Sequence, residues 1–169
     1  GLTKQEIGAS ELAFMLRDSD SSSGIGTSVP TLDPERNIAL YKALTNAMEN
    51  RMIRSAHDCS DGGLSVSLAE SCFGFSGGAD IDVTEILLED DELDEWGALF
   101  GESLGRIIVS VSPECVMEFE KRMKGHAVYK LGKTTSGREV KISAHGKTVL
   151  KCDVDSLKAA WKGTLDRRA

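Results

Sequence analysis

The sequence is short of positive charge, of paired cysteines and of long hydrophobic runs. Its 169 residues include 20 Lys and Arg against 27 Asp and Glu, a net charge of −7, which argues against a broad electrostatic grip on nucleic acid. No apolar run approaches the length of a membrane span, and the first residues show no signal-peptide pattern. We therefore expect a cytoplasmic protein with neither a nucleic-acid nor a membrane partner.

The four cysteines are widely spaced and form no Cys-x-x-Cys pair. With 40% apolar residues, a chain of this length builds a core without disulfides, so the pattern predicts reduced thiols. Cys59 lies beside a glycine-rich helix start, where a thiolate would be favoured, but a structural thiol is the stronger interpretation.

Hydrophobic periodicity predicts helices alternating with strands. Asp33 before Pro34 is a strong helix-start signal, and the spacing predicts a helix over 34–51. Its predicted buried stripe is Ile38, Tyr41, Leu44, Met48 and Met52. A helix over 63–75 is apolar on much of its circumference. Glu70 on it could be a functional carboxylate, but we expect a solvated or paired edge residue.

The second half adds strands over 77–83, 107–111 and 126–131, then a hairpin at 145–146 and a helix with an i, i+4 apolar stripe. Asp80 and Asp82 lie on one strand face, which favours the wet side of an edge strand over a magnesium site. The element order predicts an α+β fold, an α/β sandwich with a mixed sheet and packed helices.

The first 32 residues differ in character from the rest. A short helix capped by Ser10 is followed by the small, polar segment Asp18–Ser28, which we expect to be mobile. We therefore predict an N-terminal arm and linker over 1–32 and a domain over 33–169.

The most informative segment is the decapeptide Ser55–Leu64, between a predicted strand and a predicted helix. Two glycines at a helix start let a ligand approach free amides that carry partial positive charge, and phosphate is the favoured guest there. The alternative is that Asp61 caps the helix and the glycines make a tight corner. His57 is expected to be a structural, hydrogen-bonded histidine.

Two motifs resemble the last synthetase domain of phosphoribosylformylglycinamidine synthases. They are His57-Asp58-Cys59-Ser60-Asp61-Gly62-Gly63-Leu64, with Leu68-Ala69-Glu70-Ser71 after it, and Leu99-Phe100-Gly101-Glu102-Ser103-Leu104-Gly105-Arg106. Weaker similarities occur at 8–11, 29–33 and 131–134, and these segments have the same order along the chain as in that family. Sister enzymes of the aminoimidazole ribonucleotide synthetase or selenophosphate synthetase type carry Thr-Gly-Gly-Gly or Thr-Gly-Phe-Gly at this place, which argues against them.

The resemblance implies the C-terminal-domain fold of the aminoimidazole ribonucleotide synthetase superfamily and a role in purine biosynthesis. It implies an ATP-dependent ligase with Mg²⁺ that uses glutamine-derived ammonia, with the remaining synthetase domains, a glutaminase and small phosphorylated ligands as partners. No catalytic residue or metal ligand of the family is matched here, so we expect the isolated chain to fold without catalysing. A non-catalytic half that only holds a nucleotide remains an alternative.

The resemblance also implies a site. Its phosphate- or nucleotide-binding candidates are Asp58, Ser60, Asp61, Gly62 and Gly63. The substrate-binding candidates are Glu102, Ser103 and Arg106, for which a Glu102–Arg106 surface pair is the alternative. We expect Gly63→Asp to weaken ligand binding tenfold or more and to affect folding less.

Overall fold

The computed structural model describes residues 2–16 and 28–166, of which 164–166 are described in their backbone only. Seven α-helices occur in these ranges: α1 (Glu11–Leu16), α2 (Pro34–Glu49), α3 (Gly63–Cys72), α4 (Thr84–Leu87), α5 (Glu95–Phe100), α6 (Val116–Arg122) and α7 (Val154–Asp166). A short 3₁₀ turn over Pro113–Cys115 leads into α6. None of the helices in the described ranges has the length and apolar character needed to cross a membrane.

Six strands in the same ranges form two sheets: β1 (Ile53–Asp58), β2 (Gly78–Asp82), β3 (Ile107–Val111), β4 (Gly132–Thr135), β5 (Glu139–Ala144) and β6 (Lys147–Asp153). The larger sheet has the order β4-β2-β5-β6, with β2 parallel to β5 and the other neighbours antiparallel. The smaller is an antiparallel ribbon of β1 and β3. The mixed sheet and its helices confirm the predicted α+β class.

Two apolar clusters hold these layers together. The larger lies between the four-stranded sheet and α3, α4 and α5, and Val83, Ile142 and Val154 are fully buried in it. The smaller lies between the β1–β3 ribbon and helices α2 and α6. The β1–α3 connection joins these two clusters, because β1 belongs to the ribbon and α3 packs on the larger sheet.

The predicted buried stripe of α2 is wrong in part. Ile38, Tyr41 and Met48 are 54%, 44% and 41% exposed, although Leu44 and Met52 are buried as expected. The helix buries a neighbouring face instead, formed by Asn37, Leu40, Leu44 and Ala47. Apolar residues occur on two faces of α2, and the face that contains Leu40 and Ala47 is the one that packs against the ribbon.

The strand expected over 126–131 is also wrong, because β4 begins at Gly132. Tyr129 and Leu131 pack against the large cluster from an irregular segment, so their burial did not require strand pairing. The strand β2 lies between β4 and β5 rather than at an edge. Its Asp80 still lies on the wetter face, 3.4 Å from Lys141 Nζ.

Local start and turn signals are confirmed. Asp33 accepts a hydrogen bond from the amide of Arg36 (3.0 Å), and Ser10 Oγ accepts one from the amide of Ala13 (3.2 Å). The hairpin turn has positive φ at His145 and Gly146. The segment predicted to be mobile lies outside the described residues except for Ser28, whose hydroxyl donates to the carbonyl of Gln5.

Candidate functional site

The β1–α3 connection places its two glycines in left-handed conformations. Gly62 is the N-cap residue of α3 with φ of 79°, and Gly63, the first residue of α3, has φ of 66°. Side chains rarely adopt such φ values, so glycine is required at both positions. Because Gly62 is the N-cap, the alternative in which Asp61 caps the helix is wrong.

Gly63 packs against backbone atoms in the interior. A Cβ atom built there would lie 2.5 Å from the carbonyl oxygen of Gly101 and 3.0 Å from that of Leu99, at the end of α5. The missing side chain thus lets α3 pack closely against α5. This packing argues against the expectation that Gly63→Asp affects folding less than ligand binding, because any side chain there meets backbone atoms.

An anion already lies at this helix start, and it belongs to the protein. Glu102 Oε1 accepts hydrogen bonds from the amide of Gly62 (2.9 Å) and from the amide of Glu11, the first residue of α1 (3.0 Å). The amide of Gly63 donates to the carbonyl of Ser60 (3.0 Å). The carboxylate of Glu102 therefore satisfies donors at the start of two helices, where negative charge is favoured.

The outer side of the same connection carries exposed polar groups. Ser60 Oγ donates to Asp58 Oδ2 (2.5 Å), and this hydrogen bond is the main reason that the pKa of Asp58 lies below its ordinary value; His57 makes a smaller contribution. Asp61 is exposed beside them. Asp58, Ser60 and Asp61 are thus the groups that a ligand approaching from solvent would meet first.

His57 lies behind this outer side and is hydrogen-bonded, as predicted. Its Nδ1 is 2.7 Å from the carbonyl oxygen of Asp58, and its Nε2 is 3.2 Å from Glu70 Oε2. Glu70 is half-buried and is paired, as expected of an edge residue on α3. Both ring nitrogens of His57 therefore have partners within the fold.

Arg106 is a buried residue that binds backbone. It is 7% exposed, and its guanidinium donates to the carbonyls of Ala98 (3.1 Å) and Gly101 and to Thr3 Oγ1 (3.5 Å). Burial lowers the pKa of its guanidinium, while nearby Cys59 and carboxylates oppose that shift. The alternative of a Glu102–Arg106 pair at the surface is wrong because Arg106 lies inside.

Ser103 anchors the N-terminal segment to the site. Its side chain is 1% exposed, accepts a hydrogen bond from the amide of Lys4 (3.2 Å) and donates to the carbonyl of Lys4 (3.5 Å). Gln5 Oε1 accepts from the amide of Asp94 (3.1 Å) in the same region. The sequence carries no signal for these contacts, because the partners are 89 to 99 residues apart.

Cys59 is a poor candidate for a reactive thiol. Burial raises the pKa of its thiol above the ordinary value, and this effect exceeds the opposing influence of Arg106. A raised pKa leaves less thiolate at neutral pH. The structural interpretation of this cysteine therefore fits better than a nucleophilic one.

The site does not fit a metal ion by itself. Across the described side chains of residues 2–16 and 28–163, no group of three or more His, Cys, Asp or Glu is close enough together to hold one. Asp58 is engaged by Ser60, and Glu102 is engaged by two backbone amides. These carboxylates serve the polypeptide rather than a shared coordination centre.

Comparison with known sequences places the chain in a family. The family model described as AIR synthase related protein, C-terminal domain, matches residues 4–145. The PurL subunit of phosphoribosylformylglycinamidine synthase from Carboxydothermus hydrogenoformans is 38% identical over 139 residues, which make up 81% of this chain and 18% of that protein. The chain thus spans less than a fifth of the length of this relative.

Solved structures share the fold. PurL from Thermotoga maritima complexed with FGAR superposes with a TM-score of 0.77 at 20% identity, over 93% of this chain and 26% of that one. PurL from the same organism complexed with ATP gives a TM-score of 0.69 at 18% identity, over 93% and 24%. Because the family model covers most of the described sequence, the chain belongs to the AIR synthase related protein C-terminal domain family.

Proposed function

We propose that this chain is the C-terminal domain of the synthetase portion of a phosphoribosylformylglycinamidine synthase. The observation that carries the proposal is the 38% identity to a PurL subunit over 139 residues. The whole enzyme would act in the cytoplasm, in purine biosynthesis, with its other domains and a glutaminase. Within the chain, we place the domain at 33–169 and treat 1–32 as an arm, of which Lys4 hydrogen-bonds to Ser103.

In the proposed reaction, the formamide oxygen of formylglycinamide ribonucleotide attacks the γ-phosphate of ATP and releases ADP. Ammonia then displaces phosphate from the resulting iminophosphate and leaves the amidine. Such phosphoryl transfer depends on positioning and charge neutralisation more than on covalent groups of the protein. A domain can therefore contribute by holding a phosphorylated ligand in place, without supplying a nucleophile.

The proposed ligand-facing groups are those on the outer side of the β1–α3 connection. Ser60 offers an exposed hydroxyl, and Asp58 and Asp61 lie on either side of it along the chain. Gly62 and Gly63 shape the connection through their positive φ values. A phosphate could use the amide of Gly62 only by taking the place of the Glu102 carboxylate, which now accepts from it.

In this proposal, the candidates Ser103 and Arg106 support the connection from inside the domain and do not contact the ligand. Ser103 holds the N-terminal segment, and Arg106 holds the end of α5 against which Gly63 packs. The donor set of this chain does not fit Mg²⁺, so we route no step through a metal here. Any metal that accompanies ATP in the intact enzyme would take its protein ligands from another domain.

A second candidate function is that of a non-catalytic half of the synthetase, which holds a nucleotide without taking part in turnover. The observation that favours it is the Glu102 carboxylate, which already satisfies the Gly62 amide that a reacting phosphate would use. The two functions differ in kinetics. A ligand-positioning role predicts that loop variants raise KM or lower kcat, whereas a holding role predicts loss of assembly without a change in the assembled enzyme.

The test is amidine formation by the intact protein that contains this chain, with formylglycinamide ribonucleotide, ATP and ammonium supplied. We expect Ser60→Ala to lower kcat/KM about tenfold, equivalent to about 1.4 kcal/mol. The matched control is Ser136→Ala, in the exposed β4–β5 turn, which should leave kinetics unchanged. Equal kinetics for the two variants would show that the β1–α3 connection is not part of the ligand site. Absence of amidine product from the wild type would reject the proposed function.

A further inference from the structure

The C-terminal helix α7 is connected to the β1–α3 connection through two side chains. Trp161 Nε1 on α7 donates to Glu70 Oε1 on α3 (2.9 Å). The other oxygen of the same carboxylate, Glu70 Oε2, lies 3.2 Å from His57 Nε2. His57 Nδ1 lies 2.7 Å from the carbonyl oxygen of Asp58, the residue at which β1 ends.

The chemistry of these partners fixes the direction of the hydrogen bonds. A backbone carbonyl only accepts, so Nδ1 must carry the hydrogen that reaches Asp58. The Glu70 carboxylate lies 3.2 Å from the other ring nitrogen, Nε2, so the ring is held between the carbonyl at the end of β1 and the side chain of Glu70 on α3. The indole N–H leaves Glu70 one oxygen for His57 and orients that oxygen toward the ring.

We propose that Glu70 and Trp161 are positioning residues that set the orientation of His57 and, through it, the end of β1 that leads into Ser60. The functional meaning of this inference rests on the function proposed above, but the positioning itself is a property of the chain. Trp161 lies beyond residue 145, where the match to the family model ends. The match to the family alone therefore does not assign it a role.

The position of α7 does not depend on Trp161 alone, so the positioning role can be separated from docking. Arg138 makes two hydrogen bonds to Asp155 at the start of α7 (2.8 and 2.5 Å). Lys158 Nζ donates to the carbonyl of Phe73 (2.8 Å), just past the end of α3. The rings of Phe73 and Trp161 also lie against each other, with centroids 5.7 Å apart.

Two variants change these hydrogen bonds while α7 keeps its other contacts. Trp161→Phe keeps an aromatic ring beside Phe73 and removes the indole N–H. Glu70→Gln keeps the side-chain length and replaces one carboxylate oxygen with an amide group. Lys158→Met is the matched control, because it removes a different contact of α7 and leaves Glu70 intact.

The measurement is the ¹⁵N NMR spectrum of the 169-residue chain, with the His57 ring nitrogens and the backbone amides of Ser60 and Gly62 as probes. We expect Trp161→Phe and Glu70→Gln to shift both sets of resonances, and Lys158→Met to shift neither. Unchanged His57 resonances in Trp161→Phe, or equal shifts in Lys158→Met, would overturn the proposal. If Glu70→Gln unfolds, Trp161→Phe still decides the outcome.

These readouts do not use catalysis, so the two proposals can fail separately. If the intact protein forms no amidine but the His57 resonances respond as expected, the positioning role stands without the proposed function. If amidine forms and the resonances do not respond, the function stands and the positioning role falls.

Discussion

Gly63→Ala is the substitution whose effect follows most directly from the backbone geometry. It adds one methyl group at a φ of 66°, 2.5 Å from the carbonyl oxygen of Gly101. That oxygen belongs to backbone at the end of α5 and cannot rotate away as the tip of a side chain could. The variant must therefore strain its own φ, move α3 away from α5, or do both.

The magnitude has two parts. A left-handed conformation costs a residue with a Cβ atom roughly 1–2 kcal/mol, and overpacking a close contact costs about 1–3 kcal/mol. Together they predict a loss of about 2–5 kcal/mol, a large share of the roughly 5–15 kcal/mol typical of a domain. For a chain of this size the melting temperature should fall by roughly 4–20 °C.

Urea unfolding followed by circular dichroism measures this loss, and Gly146→Ala is the matched control. Gly146 has φ of 73°, close to that of Gly63, but a Cβ atom there would meet nothing within 4 Å. The difference between the two variants isolates the contact with α5, and we expect about 1–3 kcal/mol. Equal losses in the two variants would refute the close packing of Gly63 against Gly101.

Three further outcomes follow from the contacts of the site. Arg106→Met leaves buried carbonyls without a donor and should lower stability by about 2–4 kcal/mol in urea unfolding, against less than about 0.5 kcal/mol for Arg36→Met, whose side chain is 49% exposed. Ser60→Ala should raise the pKa of Asp58 toward its ordinary value, as measured by carboxyl ¹³C NMR titration, and an unchanged pKa would show that Ser60 is not the main cause. The hydrogen bonds from Arg138 lower the pKa of Asp155, so the contribution of this pair to folding stability is present above the ordinary carboxyl pKa and is lost as the pH falls through the lowered pKa. The stability advantage of the wild type over Asp155→Asn should therefore shrink in acid unfolding experiments, and a constant difference would contradict the pairing.

Features encoded by neighbouring residues could be predicted from the sequence. Asp33 with Pro34 located the start of α2, and the motif around Gly62 located the β1–α3 connection correctly. These signals act within a few residues, where capping and turn conformation are decided by local chemistry. The mixed sheet followed from the order of the elements.

Features that depend on distant partners could not be predicted. The buried face of α2 was wrong at Met48, since helical spacing alone does not tell which of two apolar faces meets the ribbon. Glu102 was predicted near a ligand, yet its partners are the amides of Gly62 and Glu11, 40 and 91 residues away. The sequence of the motif is the same whether its carboxylate binds a substrate or accepts hydrogen bonds from the first amides of two helices.

The inward-facing Gly63 illustrates the same limit at a single position. Two adjacent glycines at a helix start are typical of a phosphate site and of close helix packing alike. Only the neighbouring backbone of α5 distinguishes the two, and that helix lies more than 30 residues further along the chain. The role of Gly62 and Gly63 toward a ligand therefore remains a prediction.

The most direct test of the central claim is a domain exchange. In PurL of Carboxydothermus hydrogenoformans, the segment aligned with this chain is replaced by the segment from this chain, and ammonia-dependent amidine formation is measured with ATP and formylglycinamide ribonucleotide. Thermal unfolding of the chimera serves as the control for folding. We predict a folded chimera that forms amidine within about tenfold of the parent rate, equivalent to about 1.4 kcal/mol. A chimera that folds as the parent does but forms no amidine would contradict the claim that this chain is a synthetase domain of that enzyme.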